Sequence, residues 1–147
     1  MQNILSFKTK FGWISASENN NKILSVSFGK SKNRGKSILL HRLKKNLKKY
    51  FAKKTKTINL KILLDGSNLQ IKIWKELKKI PYGKTKSYGE IAKKVKTSPR
   101  YVGNVCGQNK HLLVVPCHRV IRTDGSLGGF SGSGGLTLKK RLLNLER

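Results

Sequence analysis

The stretch that most constrains this chain is Leu112-Leu-Val-Val-Pro-Cys-His-Arg-Val-Ile121. Four successive apolar residues are enough for one buried strand, Pro116 ends it, and the next two side chains are a thiol and an imidazole. A core element that ends on Cys117 and His118 is rigid on one side and open on the other, which suits a nucleophile that meets its substrate from outside. Free cysteine is also among the most buried residue types, so the same pattern fits a small core hydrophobe with no chemistry. Adjacency alone leaves both readings open.

Whatever the fold, it must carry an unusual charge. In 147 residues, 33 Lys and Arg stand against 6 Asp and Glu, a formal +27. That points to a polyanion, nucleic acid first. A membrane surface fits less well, because no segment joins a strongly apolar face to the basic one, and a general surface bias would also spread lysines along the chain in this way. The scarce acids are singled out instead: Glu18, Asp65, Glu76, Glu90, Asp124 and Glu146. No apolar run is long enough to span a bilayer, and the N-terminal Met-Gln-Asn-Ile-Leu-Ser-Phe-Lys has no signal-peptide core. A soluble, cytoplasmic monomer is expected, with no membrane partner. Cys106 and Cys117 lack paired spacing, so a reducing compartment keeps both as thiols. With only His41, His111 and His118 to add, no metal site is expected.

Along the chain, Ile4 to Lys10, Phe11 to Ser17 and Ile23 to Phe28 read as three strands, with Glu18-Asn-Asn-Asn21 as turn chemistry. Ser37 caps a helix whose apolar face is Leu40, Leu43, Leu47, Tyr50 and Phe51, leaving Lys44, Lys45, Lys48 and Lys49 mostly off it. Alternation over Ile58, Leu60, Ile62 and Leu64 predicts a fourth strand before Asp65-Gly66. The domain boundary is placed there, giving domains 1–66 and 67–147. Ser67 opens a second helix through Ile80, with Leu69, Ile73, Leu77 and Ile80 on one stripe and Trp74 beside it.

Ser87-Tyr-Gly-Glu90 is a capping box before a short helix, and Ser98-Pro99 caps and starts another that carries Arg100, Tyr101, Val102, Val105 and Cys106. So tight a junction suggests a helix-turn-helix whose second helix enters a DNA groove, although an ordinary helical hairpin has the same grammar. Thr123-Asp-Gly-Ser126 is a hairpin turn signal. Gly128 to Gly135 is a loop able to close over a ligand, or a plain linker. A last helix, from Leu136 to about Glu146, packs Leu138, Leu142 and Leu145.

Pro116-Cys-His-Arg-Val120, preceded by Ser-Tyr-Gly-Glu and Ser-Pro-Arg and followed by Asp-Gly-Ser-Leu-Gly-Gly-Phe, resembles the O6-alkylguanine-DNA alkyltransferases, the methylated-DNA-protein-cysteine methyltransferases. The match runs from about Asn68 to Arg147 and is looser upstream. The resemblance implies an α/β (α+β) protein: a small N-terminal domain related to the ribonuclease H fold, then a helical C-terminal domain with the helix-turn-helix and the active-site segment. It implies direct-reversal repair, in which double-stranded DNA containing O6-alkylguanine, or less readily O4-methylthymine, gives its alkyl group irreversibly to the protein's own cysteine, once and without a cofactor.

By the same resemblance Cys117 is the acceptor, His118 the base acting through a water, and Glu146 the carboxylate that orients His118. Tyr88 contacts the flipped base and helps protonate the departing guanine, Arg100 fills the vacated stack, and Ser98 and Tyr101 join it at the DNA. Asn109 is the hinge, Val120 offers a carbonyl to the guanine amino group, and Ser131 an amide to O6. Phe130 stands where the family usually has tyrosine, the loop is longer so that Ser131 and Ser133 compete for one role, and the zinc ligands of some members are absent. The rivals are a non-catalytic alkyltransferase-like lesion binder, which would carry tryptophan in place of Cys117, a helix-turn-helix transcription factor, and a thiol peptidase or redox enzyme.

Overall fold

A computed structural model describes residues 2–129 and 135–147. Phe130, Ser131 and Ser133 lie outside the described residues. The chain forms two compact units, one of residues 1–64 with 110–114, the other of 65–109 with 115–147.

In the first unit, strands β1 (Asn3–Thr9), β2 (Gly12–Asn19) and β3 (Lys22–Phe28) form an antiparallel meander. Asn20 and Asn21 both adopt positive φ, 51° and 60°, as the two-residue turn between β2 and β3 requires. Helix α1 (Ile38–Phe51) is capped by the Ser37 hydroxyl and buries Leu40, Leu43, Leu47, Tyr50 and Phe51, together with sheet residues Ile14, Ile23 and Val26.

Two expected strands are absent, for one reason. Ile58 to Leu64 alternates in burial as anticipated, yet only Ile62 pairs, bridging Ile23 of β3 in parallel. Leu112 to Val115 is buried throughout, but it turns: Leu113 holds φ 74°, a left-handed conformation closed to a strand. The preceding residues run along β3, where Val26 donates to the Lys110 carbonyl at 2.7 Å and Leu112 donates to the Val26 carbonyl at 3.0 Å. Both stretches satisfy backbone groups on the open edge of β3 without becoming strands, which also blunts that edge. Lys110–Val114, within the expected second domain 67–147, groups with the first unit.

The second unit is helical. α2 (Asn68–Lys78) starts at a capping box between Ser67 and Gln70, and its Trp74 indole donates to the Val105 carbonyl at 3.2 Å. β4 (Lys86–Ser87) leads into α3 (Tyr88–Val95), whose capping box joins Ser87 and Glu90. Lys96 ends α3 in the left-handed conformation (φ 62°, ψ 53°), and Ser98 caps α4 (Pro99–Gly107), with Pro99 in the first turn. β5 (Val120–Ile121) pairs in parallel with β4, so the Thr123–Ser126 turn forms without a hairpin around it. α5 (Gly135–Leu145) closes the unit and buries Leu138 and Leu142. Because Lys96 is exposed and pays for a left-handed backbone, Lys96→Gly is expected to stabilise the protein by about 0.5–1 kcal/mol in chemical denaturation.

Candidate active site

Cys117 does not end a strand. It begins a 3-10 turn, Cys117–Arg119, with its amide donating to the Val115 carbonyl at 2.8 Å. In such a turn successive side chains are rotated by roughly 120°, so His118 still points away from Cys117, although strand alternation is not the cause. The thiol is buried, 4% exposed. Burial pushes its pKa up, against the opposing pull of the Asn109 side-chain hydrogen bond and the Lys139 charge. Asn109 is also buried, and its Nδ2 donates to the Val115 carbonyl at 2.8 Å, so one side chain ties the end of α4 to the turn that carries the thiol.

His118 is 1% exposed, with Nε2 2.7 Å from Glu146 Oε2. A carboxylate only accepts, so Nε2 carries the hydrogen and Nδ1 keeps the basic lone pair. Among the described residues Nδ1 has no partner. Burial lowers the His118 pKa, while the hydrogen bond and charge of Glu146 oppose the drop. The imidazole is therefore neutral at neutral pH and able to take a proton.

Glu146 is held from several directions. Arg119 Nε donates to Oε1 at 2.8 Å, Arg119 Nη2 donates to Oε2 at 2.9 Å, and the Gly83 amide approaches Oε1 at 3.4 Å. Arg119 Nη1 donates to the Ile80 carbonyl at 2.8 Å. Two-pronged pairing fixes the plane of the carboxylate, and with it the imidazole. Arg119 was not anticipated. The available signal was an arginine inside a run of buried residues, which demands a partner in a chain short of acids.

Lys139 was also missed. It occupies the apolar face of α5 between Leu138 and Leu142 and is fully buried. With no carboxylate among its described partners, Nζ donates to the carbonyls of Val120 at 2.6 Å, Leu127 at 2.5 Å and Gly129 at 3.2 Å, and lies 3.4 Å from the Tyr88 hydroxyl. Burial lowers its pKa. A lysine in register with the leucines of an amphipathic helix was the readable sign. The Val120 carbonyl, expected to meet a ligand, thus already accepts one hydrogen bond and retains its second lone pair.

Of these residues Cys117 and Gly129, together with Tyr88, line a cavity of about 630 Å³. α3 and α4 supply Tyr88, Pro99, Arg100, Gly103, Cys106 and Gly107, and the remaining wall is Cys117, Arg122, Thr123, Gly128 and Gly129. Tyr88 is half-buried, and desolvation pushes its hydroxyl pKa up to about 12. Gly128 is required where it lies against that ring: φ is +72°, and a Cβ would stand 2.9 Å from the Tyr88 hydroxyl. Arg100 is exposed and borders the cavity, whereas the Ser98 hydroxyl is engaged in capping the Tyr101 amide at 3.1 Å. Cys106 lines the same cavity as Cys117, and burial pushes its pKa up to about 12. Among the described residues no cluster of three or more His, Cys, Asp or Glu could hold a metal ion, and no helix is long and apolar enough to cross a membrane.

The second unit thus holds a buried thiol, a histidine paired with a carboxylate, and two short helices, α3 and α4, joined by a tight turn. Residues 68–147 match the family described as 6-O-methylguanine DNA methyltransferase, DNA binding domain. A methylated-DNA–protein-cysteine methyltransferase of Methanosarcina acetivorans is 41% identical over 104 residues, covering 69% of this chain and 65% of its own length. Another, from Mycolicibacterium paratuberculosis, is 45% identical over 100 residues, covering 67% of this chain and 59% of its own length. The matched segment thus spans just under two thirds of these relatives. The crystal structure of Mycobacterium tuberculosis OGT in complex with DNA superposes with a TM-score of 0.87 at 30% identity, covering 97% of this chain and 91% of that one. This chain belongs to the 6-O-methylguanine DNA methyltransferase family.

Proposed function

We propose that this protein repairs duplex DNA by direct reversal, moving the alkyl group from guanine O6, and less readily from thymine O4, to Cys117. The observation that carries the reading is one cavity bounded by Cys117, Tyr88 and Arg100, with the His118–Glu146 pair behind the thiol. Its volume suits a purine with its substituent. The Cys117 proton passes through a bridging water to His118 Nδ1, and the thiolate attacks the alkyl carbon. The carbon–O6 bond breaks, a carbon–sulfur bond forms, and the guanine takes up a proton with the help of the Tyr88 hydroxyl. No redox change occurs and no cofactor enters.

Asn109 links the reader helix α4 to the reacting turn, while Lys139 holds the Val120, Leu127 and Gly129 carbonyls as a fixed wall. The second unit carries the chemistry, and a cytoplasmic site of action suits a nucleophile that must remain a thiol. The test is incubation with an O6-methylguanine duplex followed by intact mass. One methyl increment per chain at any excess of DNA is expected. Tight lesion binding with unchanged mass would make the protein a non-catalytic lesion binder.

Arg100→Ala is expected to slow repair of the duplex by at least about tenfold, with little effect on free O6-benzylguanine. Extruding a base costs a few kcal/mol that the free base does not incur. Because Arg100 also borders the cavity, equal losses on both substrates would assign it to the pocket wall. Lys139→Met is expected to slow reaction with both substrates and to destabilise the protein by about 1–3 kcal/mol, because buried carbonyls lose their donor. Thermal melts and single-turnover rates check both effects.

A further inference from the structure

The first unit, most of which lies outside the residues matched to the family, is the more positively charged of the two. Residues 1–64 and 110–114 contain 17 Lys and Arg against one acid, Glu18, for a net +16. Much of that charge is organised. His41, Lys44, Lys45, Lys48 and Lys49 follow one another at helical spacing on α1 and, with Lys54, line a groove of about 410 Å³. An adjoining groove shares Lys48 and Ala52 and adds Lys8 and Lys10.

Helix stability does not explain this face. Lys48 and Lys49 lie in the last turn of α1, where cations complement the helix dipole, but Lys44 and Lys45 lie before it, and the dipole effect fades within a turn. Like charges at Lys44–Lys48 and Lys45–Lys49 destabilise a helix, and α1 carries no acidic residue to relieve them. Among the described residues, none of these four lysines pairs with a carboxylate. The apolar residues Leu39, Leu40, Leu43, Leu47, Tyr50 and Phe51 are buried, and exposed Ile38 at the start of α1 is a single apolar side chain, too little to seat this face in a bilayer. From His41 to Ala52 the helix rises about 17 Å, the axial length of about five phosphates along one DNA strand.

We infer that the Lys44, Lys45, Lys48 and Lys49 face of α1 is a second binding surface for the phosphate backbone of duplex DNA, independent of sequence and of lesion. It adds to whatever the helix-turn-helix binds and does not rest on the transfer chemistry.

The test compares two full-length variants of equal charge: Lys44→Gln/Lys45→Gln/Lys48→Gln/Lys49→Gln, and a dispersed control, Lys22→Gln/Lys32→Gln/Lys36→Gln/Lys61→Gln, whose positions are exposed on the same unit. Affinity for an undamaged duplex is measured by fluorescence anisotropy across a salt series. The α1 variant is expected to bind at least about tenfold more weakly, with the log–log salt slope reduced by up to about 3.6, or about 0.9 for each phosphate no longer neutralised. The control slope should change by less than about 1.

Equal losses in the two variants would replace the site with a diffuse field and overturn the inference. So would unchanged binding by the α1 variant, or retained duplex binding with lost attachment to phosphatidylserine vesicles. The four-fold Lys→Arg variant at the α1 positions keeps the charge and should keep the slope, which separates charge loss from misfolding. Transfer from free O6-benzylguanine should be unchanged in every variant, so failure of this inference and failure of the transfer reading remain distinct.

Discussion

Cys117→Ser protein is expected to take up no alkyl group from an O6-methylguanine duplex while binding that duplex as before. The effect is total because a hydroxyl is far less readily ionised than a thiol of ordinary pKa about 8.5. The informative partner is Cys106→Ser, since both sulfurs line one cavity and location alone does not separate them. Cys106 has burial pushing its pKa up to about 12, whereas the opposing hydrogen bond from Asn109 is confined to Cys117. Cys106→Ser should react at close to the parent rate, and peptide mapping should place the label on Cys117. A label on Cys106, or reaction by Cys117→Ser, would refute the assignment. Because burial raises the Cys117 pKa, its contribution to stability is present below the unfolded thiol value of about 8.5 and is lost as pH rises through the folded one.

Glu146→Gln should cost about 3–5 kcal/mol of stability, because it strips the buried Arg119 guanidinium of its charged partner. It should also slow transfer, by up to about 10²–10⁴-fold, the usual worth of a general base, because His118 loses the carboxylate that orients it. Glu146→Gln/Arg119→Met separates the two effects: the double variant should recover part of the stability and none of the rate.

The pH profile supplies an independent sign. Burial lowers the His118 pKa, so transfer should hold a plateau above the ordinary histidine value of about 6.5 and fall as acid protonates Nδ1. Glu146 opposes that lowering, so Glu146→Gln should move the acid limb to still lower pH. An unmoved limb would uncouple the carboxylate from the base. Stability has the same direction: the neutral buried imidazole contributes above about 6.5, and that contribution is lost as pH falls through the depressed folded value.

Local grammar was legible in the sequence because its physics is local. Ser37, Ser67, Ser87 and Ser98 each cap the helix that begins beside them, through a hydroxyl that accepts an amide three residues on. The Asn20-Asn21 turn set the β2–β3 hairpin in the same way. Apolar runs were less decisive. Leu112–Val115 and Ile58–Leu64 are buried or half-buried where apolar spacing required it, but whether a stretch becomes a strand depends on a hydrogen-bonding partner distant in the chain. β3 offered each of them only a bridge.

The site divides along the same line. Cys117 and His118 are neighbours in sequence, and their adjacency raised the proposed chemistry beside the reading of a merely packed thiol. The tertiary structure decided what that chemistry rests on. His118 meets a carboxylate 28 residues away, the same carboxylate meets Arg119, and Lys139 finds its carbonyl acceptors on segments 10 to 19 residues distant. Arg119 and Lys139 stand out in the sequence only as basic residues at apolar positions. Only folding shows that these two are buried, and a buried cation must be satisfied by whatever acceptors the packed chain brings within hydrogen-bond reach.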